Sequence, residues 1–285
     1  MVQTRTRVKL GAPDPEDPTS TPIVCVIDRA TTDAVPHVSA ELAYELGSQL
    51  QLVHVAREPR LLPSWMRREC RRRETGRRGQ ERLTEILCRV PAEVDACTRL
   101  AHGEPTKTII ELCEQSNAAL LVIAAPAQVT RAAIGDRLWR ALAARAPCPV
   151  VIVPNVADPV RAADAGESIV CGVDWSRESV KVALVAGDLA SRLDKRLVVV
   201  QARGRQSRVL KKALAAVSGN GVTTVDAHPS RGVLEAVART HRAALVFGAA
   251  LGLSPAAHIV VVVPERAAID PGSGHYELAA VADVG

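Results

Sequence analysis

The stretch IVCVID, Ile23 to Asp28, returns as IVCGVD, Ile169 to Asp174, at a shift of 146 residues. The same shift relates QLQLVHVAR (Gln49–Arg57) to DKRLVVVQAR (Asp194–Arg203), which share Ala-Arg at their ends. Farther on, EPTKTIIELCEQSNAALLVIA (Glu104–Ala124) aligns with HPSRGVLEAVARTHRAALVFG (His228–Gly248) at a shift of 124. PVVIVP (Pro149–Pro154) aligns with IVVVVP (Ile259–Pro264) at a shift of 110. The second copy is therefore 22 residues shorter after its second apolar run and 14 shorter before its last. A repeat this long marks a duplicated domain rather than a solenoid, whose units are tens of residues.

Each copy opens with a short continuous apolar run, the mark of a strand buried on both faces. Helical spacing follows, with Ala34, Val38, Leu42 and Leu46 on one stripe. LQLVHV and RLVVVQ read as second strands, and Ala92–Leu100 and Gly221–Ala227 as third strands. Glu104 and Pro105 start a helix whose Ile109, Leu112 and Cys113 face inward, since proline in the first turn lacks an N–H that would have no partner there. LLVIA and LVFGA are fourth strands, and PVVIV and IVVVV fifth strands. Strands alternating with helices imply a parallel sheet with right-handed crossovers and helices on both faces. The expected fold class is α/β: two doubly wound, Rossmann-like parallel-sheet domains in tandem, the second truncated before its last strand. The expected bounds are 21–154 for the first domain and 168–266 for the second, joined by a linker at 155–167. Residues 1–20 and 267–285 are expected to be flexible tails. A ligand of such a sheet sits at the carboxyl ends of the strands, where the strand order reverses.

The chain has 285 residues, enough for two domains with their own cores. It is 47% hydrophobic but only 2% aromatic, so its cores are built from Val, Leu, Ile and Ala. The mean hydropathy of +0.08 is that of a globular chain. The first 20 residues carry charges and prolines without an apolar centre, unlike a secretory signal. No run approaches the roughly 18 apolar residues that cross a bilayer. Seven cysteines at irregular spacings argue for reduced thiols, and the expected location is the cytoplasm, with no membrane partner. Net charge is +5, and residues 67–82 (RRECRRRETGRRGQER) carry +5 within that window, inside the segment the second copy lacks. Such a window either contacts a polyanion through its arginines or is a solvated helical face.

Taken together these residues resemble the universal stress protein family, as a tandem pair covering about 20–155 and 166–266. The resemblance rests on the strand ends at Asp28 and Asp174, on D-W-S at Asp174–Ser176, and on HGEPTKTIIELC before the fourth strand. Its most specific piece is ARAPCPVVIV (Ala144–Val153). It implies a doubly wound sandwich that dimerises, often through its last strand. In a tandem chain the halves would make that pair internally, antiparallel, through Val150–Val153 and Ile259–Val263, which would also hide an edge strand.

The resemblance also frames the question of ATP. Binding members resemble one another in a Gly-x2-Gly-x9-Gly-Ser/Thr signature after the fourth strand, with an Asp ending the first strand and a backbone position ending the second. Its glycines admit backbone N–H groups to the phosphates at a helix N-terminus. Carried over, the positions are Asp28, Val55, Ala124, Ala127, Gly135 and Asp136 in copy one and Asp174 and Gly248 in copy two. Copy one departs from the pattern: Ala124 and Ala127 stand where glycines belong, and Asp136 replaces the hydroxyl. A side chain at a left-handed position costs about 1–2 kcal/mol. A carboxylate about 4 Å from a phosphate adds roughly 4 kcal/mol of repulsion at an effective dielectric near 20. A micromolar ligand has only about 8 kcal/mol in all. In copy two, GAALGLSPAAH (Gly248–His258) leads almost directly to the last strand, with Gly252 as a remnant glycine and no Gly-Ser/Thr pair after it. Asp28 and Asp174 read equally as nucleotide contacts or as strand-end turn formers and helix caps.

No CxxC or HExxH spacing points to a metal, and no nucleophile–base pair can be claimed. Cys25 and Cys171 sit in core strands as small hydrophobes, Cys148 serves packing or a turn, and His54 is structural. Cys70, beside several arginines, is either a reactive or an inert thiol. The expectation is a non-enzymatic cytoplasmic stress-response protein with a degenerate phosphate loop, no ordinary ATP binding and no cofactor, acting through an unidentified protein partner. The alternative is an adenine-nucleotide sensor using copy one's site. Polyanion contact by Arg67–Arg82 is a third reading.

Overall fold

The structure, a computed structural model, describes residues 21–28, 31–56, 65–125, 134–154, 166–173, 176–201, 222–247, 258–264 and 266–267, with 65–75, 134–137, 177–178 and 180 as backbone. In the first half β1 (Ile23–Val26), α1 (Ala34–Glu45), β2 (Leu50–Ala56), α2 (Trp65–Leu87), β3 (Ala96–His102), α3 (Pro105–Gln115), β4 (Leu120–Ala124), α4 (Ile134–Arg145) and β5 (Val150–Val153) follow in order. The second half repeats the scheme with β6 (Ser168–Val173), α5 (Arg177–Arg192), β7 (Arg196–Gln201), β8 (Val222–Asp226), α6 (Arg231–Thr240), β9 (Ala243–Phe247) and β10 (Val260–Val262).

All ten strands form one sheet in the order β3-β2-β1-β4-β5-β10-β9-β6-β7-β8. Every neighbouring pair is parallel except β5 and β10, which run antiparallel with Val150 opposite Val262, Val151 opposite Val261 and Ile152 opposite Val260. On one face a single apolar cluster crosses this junction. It joins Val35 and Val38 of α1 and Leu83 and Ile86 of α2 to Ala183 and Leu189 of α5. The chain's single phenylalanine, Phe247, belongs to it and is fully buried. The two halves also meet where Lys195 Nζ lies 3.9 Å from Glu45 and Arg192 donates to the Leu46 carbonyl. On the other face α3 and α4 pack over the first half, and α6 over β6, β7 and β9.

Of the two differences inside the repeated opening motif, Val26/Gly172 and Ile27/Val173, the first has a packing cause. A Cβ at Gly172, where copy one has Val26, would lie 2.9 Å from both methyls of Leu234 in α6. A side chain there would therefore require Leu234 to move. The third strand starts later than its apolar pattern suggests: Pro91 to Asp95 form turns, and pairing with β2 runs from Ala96 to His102. Glu104 caps α3 by accepting from the N–H groups of Thr106 and Lys107 at 3.2 and 2.8 Å, which satisfies donors that a helix start leaves open. No helix among the described residues is long and apolar enough to cross a membrane.

Cys25 and Cys171 occupy equivalent buried positions in β1 and β6. Burial pushes both thiols from 9.0 up to about 12, in Cys25 against a weaker opposing pull from Ser39. The unfolded chain then releases these protons from about pH 9 while the folded chain holds them to about pH 12. Stability is unaffected below that window and falls within it, by about 1.4 kcal/mol per pH unit for each thiol. A Cys25→Ala/Cys171→Ala variant should lose less stability than the parent between pH 9 and 11 in urea titrations; equal losses would contradict the burial argument.

Candidate functional site

The strand order reverses between β1 and β4, and three of the residues singled out in copy one come together there. Val26 is opposite Val53 and Cys25 opposite Val122. That register carries Asp28, Val55 and Ala124 to the carboxyl ends of three adjacent strands. Gly135 and Asp136 lie in the first turn of α4. Ala127, Asp174, Gly248 and Gly252 lie outside the described residues, as do the side chains of Gly135's neighbour Asp136, of Cys70 and of Arg67 to Arg73.

Asp28 is exposed, and its local partners are the chain's own. The Thr31 hydroxyl donates to Asp28 Oδ1 at 2.7 Å and accepts the Asp28 N–H at 2.9 Å. Thr31 itself is only 4% exposed. This is the closed turn of a strand end, in which a short polar side chain satisfies backbone groups just beyond the ladder. In copy two Ser176 has a related role: its Oγ accepts the Ser179 N–H at 3.2 Å at the start of α5.

The arginine-rich insert turns out to be a docked helix. Gly76 and Gly79 face the sheet, where a Cβ on Gly79 would meet His54 Cδ2 at 2.5 Å and Leu100 Cδ1 at 3.1 Å. The His54 ring in turn bonds the Ile27 carbonyl through Nδ1 at 2.7 Å. Beyond the glycines, Arg82 reaches the loop after β1, donating to the Thr31 carbonyl at 3.4 Å and lying 3.9 Å from Asp33. Arg89 donates to Asp33 at 3.0 Å and to Glu85 at 2.7 Å. Arg82 also donates to Glu85, and this bond, then the Arg82 and Arg89 charges, hold the Glu85 carboxyl below its usual range. Single exposed ion pairs contribute about 0–1 kcal/mol, but here two arginines and two carboxylates act on one loop. Arg77 pairs with Glu81 at 2.9 Å, so this end of the 67–82 window is largely neutralised by neighbouring acids. The sequence signal for this docking was the pair of glycines three apart in a helix, which leaves one face without side chains.

A cleft of about 140 Å³ opens between α1 and the end of α2, lined by Asp33, Pro36, His37, Ala40, Ile86, Arg89, Val90 and Pro91. Pockets for drug-sized ligands are about 300–1,000 Å³, and this cleft is well below that. Among the described residues no group of three or more His, Cys, Asp or Glu could hold a metal ion.

Gly79 yields a test with a change of sign. In an ordinary helix Gly→Ala adds about 1 kcal/mol of stability, but overpacking a close contact costs about 1–3 kcal/mol. Gly79→Ala should therefore be destabilising in urea unfolding, and stabilising when combined with His54→Ala, which clears the contact. A gain in the single variant would mean that α2 does not pack here.

Residues 20–154 match the family model described as the universal stress protein family. Among solved structures, a universal stress protein from Archaeoglobus fulgidus is 15% identical with a TM-score of 0.65, covering 87% of this chain and 99% of that one. A protein of unknown function from Pseudomonas aeruginosa is 18% identical with a TM-score of 0.55, covering 87% of this chain and 94% of that one. At these identities the likeness concerns the fold, and it extends over both halves. No curated protein matches the chain significantly. Residues 20–154 of the chain are thus a domain of the universal stress protein family, and the fold of the solved structures extends along most of the chain.

Proposed function

We propose that this protein acts in the stress response as a non-enzymatic tandem universal stress protein that does not hold ATP in the way of its nucleotide-binding relatives. The observation that carries this reading is the closed loop after β1. Asp28, the residue the resemblance assigns to adenosine, shares two hydrogen bonds with Thr31, and the Thr31–Asp33 segment is gripped by Arg82 and Arg89. A nucleotide taking Asp28 would have to replace a hydrogen bond to a charged group, a cost of about 1.5–3 kcal/mol where the site is dry and less at this exposed position. The alanines at 124 and 127 and the carboxylate at 136 add to that cost. The domain bounds 21–154 and 168–266 fit this reading, with the β5–β10 ladder serving inside one chain as the pairing that single-domain relatives would make between two. Its action would then run through a protein partner in the cytoplasm.

A second reading, an adenine-nucleotide sensor, draws on the convergence of Asp28, Val55 and Ala124 at one edge of the sheet. One experiment separates the two. The natively purified protein is denatured and its supernatant assayed for adenine nucleotides by mass spectrometry, and the stripped protein is titrated calorimetrically with ATP. The proposal expects no released nucleotide and no saturation up to millimolar ATP. Stoichiometric nucleotide, or saturable binding weakened by Asp28→Ala, would overturn it in favour of the sensor.

A further inference from the structure

We propose that two copies of this chain pair through α1, the Tyr44 ring of each seated in the other's cleft between α1 and the end of α2. Among the described residues Tyr44 is the large hydrophobic side chain left in solvent, 65% exposed. It shares the outer stripe of α1 with His37 and Glu41, at helical spacing. The cleft opens on the same helix one to two turns earlier. Pro36, His37 and Ala40 line it from α1, and Ile86, Val90 and Pro91 from the end of α2 and the turn after it. Its volume of about 140 Å³ is close to that of a cavity of about 150 Å³ that holds one benzene ring. It is thus the size of a single aromatic side chain rather than of a larger ligand.

A knob and a hole on one helix make a surface complementary to itself. Ala40 and Tyr44 are one turn apart, about 6 Å along the axis. A two-fold axis crossing α1 between them brings each Tyr44 onto the other copy's cleft in one antiparallel helix pair, and the contact closes as a dimer. In that pair the His37 of each copy stands against the Tyr44 and Glu45 of the other. A parallel pair would instead set Glu41 and Glu45 on their own likes, which costs affinity. Glu41 comes nearest its counterpart at the axis, and His37 Nε2 of its own chain lies 3.4 Å from it. At the rim of the cleft Asp33 and Arg89 are bonded to each other and give the phenol hydroxyl a polar surround, which suits a side chain with an apolar body and a polar tip. The pairing uses a helix face, so the β5–β10 ladder stays within each chain.

The test measures the full chain by sedimentation equilibrium from about 1 to 100 μM, the range in which a moderate contact is half formed. A monomer–dimer equilibrium is expected. Tyr44→Ala and His37→Glu should each weaken it about tenfold or more, as for loss of an anchor seated in a pocket, while Tyr44→Phe keeps the dimer. Both positions are exposed, so the variants should keep the parent's melting temperature. A small diazirine amino acid placed at position 44 is then irradiated in a mixture of unlabelled and isotopically labelled chains. Its products should join the two kinds of chain, at residues 36–40 or 86–91. A chain that stays monomeric over the whole range overturns the proposal. So does a dimer that Tyr44→Ala leaves intact, or a photo-product formed elsewhere on the chain or on a different protein.

Discussion

The antiparallel ladder between β5 and β10 is the contact on which the rest of this molecule depends. Val150 to Val153 are fully buried, and without a neighbour this strand would end the first sheet as an apolar edge, which is a template for aggregation. β10 fills that place with only three residues, Val260 to Val262. The junction also explains how the second copy tolerates its shortening before the last strand. Val260 and Val262 lie in the same apolar cluster as Leu142 and Ala143 of α4, so a helix of the first half helps cover a strand of the second. On the opposite face the cluster from α1 and α2 to α5 is continuous. Each half supplies part of the other's core, and the halves are bound to stand or fall together.

At the far side of the first half, a second set of contacts links composition to the candidate site. Glycines at 76 and 79 let an arginine-bearing helix lie against β2 and β3, His54 beneath it bonds the last carbonyl before Asp28, and Arg82 and Arg89 grip the loop beyond. The insert absent from the second copy is thus part of the architecture around the strand ends, and among its described side chains Arg77 and Arg82 pair with acids of the same chain.

Much of this was legible in the residues. Ile23–Asp28 and its repeat located β1 and β6, the spacing of Ile109, Leu112 and Cys113 gave the buried face of α3, and Cys25 and Cys171 were core hydrophobes from their strand context alone. The start of β3 was not legible, because a short apolar run has no internal mark for where pairing begins, and the turn from Pro91 to Asp95 takes up its first residues. Nor was the docking of α2, since arginine composition suggests solvent and glycines within a helix suggest weakness, whereas here the missing side chains create the contact. The grip of Arg82 and Arg89 on Asp33 joins residues about fifty positions apart, and such pairings are not encoded in any local pattern. At the candidate site the sequence identified Asp28 but left its role open between ligand contact and turn former. Its bonds to Thr31 supply the physical content of the second role.

The central claim, that one ladder makes two halves a single cooperative sheet, is tested most directly by native-state hydrogen exchange across a denaturant series. The amides of Val151 and Ile152 in β5 and of Val260 and Val262 in β10 should exchange with the slowest class, together with those of β1 and β6, in one global unfolding step. Exchange of β6–β10 through a separate opening at much lower free energy, with β1–β5 still protected, would contradict the account.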